Sequence, residues 1–227
     1  MPRDTLDRQI NSIKDEVLIL GSMVEQSTLK SVDTLKNRDI KGAQDIFEYD
    51  LIINEKRFAI ENAVLILIAT QQPIARDLRL LAAILEVITE LERMGDYAKG
   101  IGKVTIKLEE VDIPIPIRDI TKMAELAVEM LHKALGAFVN EDSHQAQQIP
   151  LEDDQVDELY TKIYHEVVTM MVKNPSIIDH ANLLLWVAHN LERLADRVTN
   201  ICERTIFIST GELLEMDSTD DEDEQAI

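Results

Sequence analysis

Cysteine occurs once, at Cys202. A single thiol leaves no internal disulfide framework and fits a reducing compartment, with Cys202 read as a small buried apolar residue. Glycine (seven) and proline (six) are too scarce for a turn-rich β fold. Basic residues are outnumbered, with 23 Lys and Arg against 43 Asp and Glu and a formal charge of −20. Nucleic-acid binding needs a basic footprint, and none is visible. Long apolar runs are missing too. The longest, "AVLILIA" at 63–69, is far too short to cross a bilayer, and the polar opening "MPRDTLDRQI" lacks the apolar core of a signal peptide. A soluble, cytoplasmic protein is expected.

What remains is rich in Leu, Ile, Ala and Glu, and it is written twice. "NRDIKGAQDIFEYDLIINE" (37–55) and "NEDSHQAQQIPLEDDQVDE" (140–158) agree at seven positions at an offset of 103. Further on, "LER..D" recurs at an offset of 100, after a small deletion in the intervening loop. Apolar residues step by three and four along each segment, as in Leu6, Ile10, Ile13, Val17, Leu20 and Val24, or Ile84, Val87, Leu91, Met94, Ala98 and Ile101. The expected fold class is all-α: a tandem duplication of a three-helix bundle, six long helices about a pseudo-twofold axis. Helices are expected at about 4–37, 39–70 and from just after Pro73 to about 108, then 118–139, 143–173 and 176–209. Asp39 should N-cap the second, and Pro150 should kink or restart the fifth. The expected units are 1–112, 113–210 and a disordered tail, 211–227, with eight acidic residues and no Lys or Arg.

Some acids occupy unexpected seats. The second-helix seam reads Ile46, Asp50, Ile53, Arg57, Ile60, Val64, Leu67; the fifth reads Ile149, Asp153, Val156, Tyr160, Ile163, Val167, Met170. Four residues past each seam aspartate stand Asn54 and Asp157. On the third and sixth helices Glu92 and Asp96, and Glu192 and Asp196, flank the seam four apart. Like charges at that spacing repel by about 0.2–0.5 kcal/mol. If the flanks meet, three or four oxygen donors converge, which calls for a cation or a proton. Oxygen-only donors suit hard cations, and the lack of His or Cys in these pairs argues against structural zinc. Solvated surface pairs with Arg93 and Arg193 are the other reading of the same acids.

At these residues the chain resembles the PhoU family of phosphate-signalling proteins. The resemblance covers about residues 4–209. It is carried by "QQPIARDLRLLAAILEVITELERMGDYAKGI" (71–101), with its "P…DLR" opening and "ELER.GD" core, and by "NLERLADRVTNICE" (190–203). It implies two three-helix bundles without catalytic activity, whose acidic motif pairs hold metal ions. Carried over, these are Asp50, Asn54, Glu92 and Asp96 in the first half and Asp153, Asp157, Glu192 and Asp196 in the second. Iron is the metal the resemblance favours, with Mn, Mg or Zn as other candidates. Asn54 departs from the acidic pattern and should make the first site the weaker. The resemblance further implies a negative regulator of phosphate uptake and signalling. Such an adaptor links a phosphate ABC transporter ATPase subunit to a phosphate-sensing histidine kinase, dimerises, and meets the membrane only through partners. A carboxylate-bridged metal enzyme or a metal-storage protein is the alternative.

Other features carry less. "EMLH" gives one Glu129-x-x-His132 where di-iron bundles need two, so both residues are read as structural. Gly100 and Gly102 lie inside a helix with no strand before them and form no dinucleotide fingerprint. The remaining histidines lack metal-ligand spacing, and Trp186 is read as packing.

Overall fold

In a computed structural model the described residues are 2–216, with side chains described from Asp4 onward. The described residues run through seven α-helices: α1 (Pro2–Asn37), α2 (Ile40–Gln71), α3 (Arg76–Lys107), α4 (Ile117–Asn140), α5 (Ser143–Gln148), α6 (Asp154–Lys173) and α7 (Ile178–Thr210). No strand occurs among the described residues. The expected fifth helix is thus two pieces. A 3-10 turn, Ile149–Glu152, interrupts it at Pro150, whose ring nitrogen cannot donate to the preceding turn. Lys133 of α4 holds this turn, donating to both carboxylate oxygens of Glu152 at 2.9 and 2.7 Å.

The periodic residues go where the spacing puts them. The α1 seam from Leu6 to Val24, the α3 seam from Ile84 to Ile101 and its α7 counterpart, Leu184, Val187, Leu191, Leu194, Val198 and Ile201, are all buried. Together they form one continuous apolar cluster through both halves. Asp39 caps α2 by accepting from the Gly42 N–H at 2.9 Å; Asp142 caps α5 from the equivalent place, accepting from His144 and Gln145. Arg38, in the α1–α2 turn, latches the linker between the halves by donating to the carbonyls of Leu108, Val111 and Ile113.

The halves join along two antiparallel helix pairs. On α3 and α7, Glu86 meets Arg204 (2.7 Å), Glu90 meets Arg197 (2.7 Å) and Tyr97 accepts from Arg193 (3.2 Å). Each step forward on α3 is a step back on α7. The Trp186 ring lies over Gly100 so closely that a Cβ there would stand 2.2 Å from it. Trp186 is therefore inter-half packing, as expected. On α1 and α4, Gly21 admits Leu135 in the same manner, and Lys14 reaches Glu141 at 2.8 Å. Both pairings obey one pseudo-twofold axis.

The "DLR" stretch, Asp77 to Arg79, has a structural use inside the chain. Arg79 donates twice to the Ile208 carbonyl, at 3.2 Å, and satisfies the C-terminal end of α7. The acidic stretch that follows starts out anchored: the Met216 backbone N–H donates to Glu203 at 2.7 Å. The rest of the expected disordered tail, 217–227, lies outside the described residues.

Candidate functional site

α2 and α3 carry the first acidic cluster, and α6 and α7 the second. Asp50 sits fully buried in its seam seat because the seam passes through it, between Ile46 and Ile53. A bare carboxylate there would be costly. Its Oδ2 accepts from the Lys99 ammonium at 2.6 Å and from the Asn54 amide nitrogen at 3.3 Å. Asp96 lies 3.9 Å from the same ammonium, one turn back along α3. The Asp50 hydrogen bond holds the Lys99 pKa above the usual lysine value against the pull of burial, with Asp96 and Glu92 adding to the field. The repulsion written into the "ELERMGD" stretch is therefore answered in this half by a cation of the chain itself. Glu92 is part-exposed and lies 3.7 Å from Arg93 Nε, as in the surface-pair reading.

In the second half the place of Lys99 is taken by Thr199, a neutral and buried residue. Asp153 and Glu192 are both buried, Asp157 and Asp196 partly so. Glu192 Oε2 lies 3.1 Å from His189 Nδ1, one turn earlier on α7, and the His189 ring leans on Tyr160 with centroids 6.3 Å apart. Asp153 ends the 3-10 turn rather than lying inside an unbroken helix, since Pro150 resets the chain just before it.

Three of these neighbours escaped sequence reasoning. Lys99 had a signal: it follows Asp96 by three, on the face that Asp96 shares. His189 had the same one, preceding Glu192 by three, although the histidines outside "EMLH" were set aside. Thr199 shows only through the comparison with Lys99. Glu129 and His132 behave as structural groups, paired with Lys133 (2.9 Å) and Glu25 (3.2 Å).

Among the described residues no three His, Cys, Asp or Glu side chains stand close enough together to hold a metal ion. The first-half donor set does not fit one, because an ammonium occupies the cation's place and Asn54 turns its nitrogen toward Asp50. The second-half set fits chemically: four carboxylates, two of them buried, with a neutral residue where the lysine would be.

A model of the PhoU domain matches residues 17–105 and again 120–205, once per half. The chain belongs to the PhoU family. A phosphate-specific transport system accessory protein PhoU homolog of Clostridium acetobutylicum is 33% identical over 217 residues, 95% of this chain and 99% of that protein. The accessory protein PhoU of Escherichia coli K12 is 33% identical over 205 residues, 90% of this chain and 85% of the other. Among solved structures, the phosphate transport system regulatory protein PhoU of Streptococcus pneumoniae superposes with a TM-score of 0.86 at 31% identity, covering 93% of this chain and all of that one. PhoU from Pseudomonas aeruginosa gives 0.84 at 29% identity. The all-α, two-repeat PhoU architecture and an accessory place in phosphate transport follow from these likenesses. The PhoU relatives are named as accessory and regulatory proteins, not as enzymes. No helix among the described residues is long and apolar enough to cross a membrane.

Proposed function

We propose that this chain is a non-enzymatic, metal-binding adaptor that restrains phosphate uptake and signalling when phosphate is plentiful. It works in the cytoplasm as a homodimer. Its partners are the ATPase subunit of a phosphate ABC transporter and a phosphate-sensing histidine kinase, through which it reaches the membrane. Family membership across both halves carries this reading. The acidic pairs support its metal part, with the ion, iron by preference, held by Asp153, Asp157, Glu192 and Asp196. A hard cation supplies there the charge that Lys99 supplies to Asp50.

Three experiments test the reading. Protein purified without chelators should carry about one metal per chain. Glu192→Gln should lower that content strongly, and Glu92→Gln little. Substoichiometric metal that is indifferent to both changes removes the metal part. In cells, deletion of the gene should switch on phosphate-starvation genes in phosphate-rich medium, and the wild-type chain should restore silence. An unchanged phenotype overturns the regulatory part, and steady turnover of phosphate esters, or of ferrous iron with oxygen, overturns the non-enzymatic one.

A further inference from the structure

The outer face of α2 is apolar and uncovered. Leu51 is 62% exposed, Phe58 59%, Leu65 51% and Ile66 55%, with Ile52 beside them. From Asn62 to Ala75 the helix and the loop that follows it carry no charge. The duplication supplies an internal control. The same seats in α6 hold Asp154, Gln155, Thr161, Lys162, Val168 and Thr169. One ancestral face has thus become apolar in one half and polar in the other. Scattered exposed leucines need no explanation, but a contiguous patch does.

The order of residues along this face names the occupant. Leu51, Phe58 and Leu65 are spaced by seven, as are Ile52, Ala59 and Ile66. Both rows read the same in reverse about Phe58 and Ala59. If a second α2 is laid antiparallel on the first about a point between Phe58 and Ala59, Phe58 meets Ala59 of the copy, Leu51 meets Ile66 and Ile52 meets Leu65. Glu55, in the middle of the face, falls opposite the Asn62 amide, which can donate to it. Self-complementarity about a point is the requirement of an isologous interface. A lipid surface fits less well, since a chain of charge −20 is repelled by anionic headgroups.

We infer that the occupant of this face is a second copy of the chain, joined by antiparallel packing of α2 on α2 through Leu51, Phe58 and Leu65. The inference rests on the dimer reading above and gives it a surface. Sedimentation at micromolar concentration should find a dimer. Phe58→Glu with Leu65→Glu should weaken it by about 30-fold or more. Both side chains are exposed, so the circular dichroism of the variant monomer should match wild type, while its melting should fall only by the stabilisation that dimerisation adds. In a Cys202→Ala background, Phe58→Cys should cross-link to itself with a short bismaleimide, and Thr161→Cys, its counterpart on α6, should not. A monomeric wild type overturns this inference and the dimer reading together. A dimer indifferent to the glutamates and without the Phe58 cross-link overturns only the assignment of the face. Flotation of a monomer with phosphatidylcholine–phosphatidylglycerol vesicles, lost in the double variant, gives the face to lipid and overturns the inference.

Discussion

Asp50 and Asp153 occupy the same seat in the two halves, one in the grip of a lysine, the other across from a threonine-bearing stretch of helix. The duplicated motif is therefore one electrostatic problem with two answers. In the first half the answer is covalently attached and always present. In the second no lysine holds the equivalent position, and Glu192 has His189 beside it instead. Divergence after duplication has turned one motif into a structural ion pair and a candidate binding site.

The strongest way to break this contrast is to remove the ammonium. Lys99→Met leaves Asp50 buried without its cation and should cost about 2–3 kcal/mol in urea unfolding, short of the ~3–5 of a fully buried pair because the ammonium is partly solvated. The same variant should gain stability on adding Mn²⁺, which wild type should not do at this site. The sign of its pH dependence is fixed. The Lys99 pKa is raised above its ordinary 10.5, so its contribution is complete below about pH 10.5 and is lost as pH climbs through the raised value. Wild-type and variant stability should converge only in that alkaline window.

A second contrast is steric. Gly100→Ala pushes a methyl group into the Trp186 ring and should cost about 1–3 kcal/mol by thermal melting. Gly136→Ala, in α4, meets nothing within 4 Å and should stabilise by about 0.5–1 kcal/mol through helix propensity. Carrying the lysine across, as Thr199→Lys, tests the two answers directly. Metal content should fall and the metal-dependent rise in melting temperature should shrink, while the apo stability changes by less than in Lys99→Met. The smallest effect concerns Cys202. Burial pushes its thiol up to about 12, so a thiol reagent at pH 8 should label it only after unfolding.

Most of the fold was legible in the sequence because it rests on local periodicity. The seams from Leu6, Ile84 and Leu184, the Asp39 cap and the break at Pro150 each follow from spacing or from one residue's covalent chemistry. The seven acids and Asn54 were legible as a pattern, but their partners were not. Whether Asp50 faces a lysine, and which way Asn54 turns its amide, depends on how α2 and α3 lie side by side, and no single-helix pattern encodes that. The Arg79 contact with the end of α7 spans more than a hundred residues and has no local trace at all.

The α3–α7 seam has a polarity that bears on how the molecule came to be one chain. Glu86 and Glu90 stand on the first half, and Arg204 and Arg197 on the second. At the mirror positions the roles are not exchanged: there Trp186 lies over Gly100, and Asn190 and Tyr97 hold the places of Glu90 and Arg197. An ancestral pair of identical bundles had no way to put acids on one side only. Fusion freed each copy to specialise, and the seam has since become a lock with distinct key and keyhole. Severed at the linker, the two halves are expected to recognise each other and not themselves.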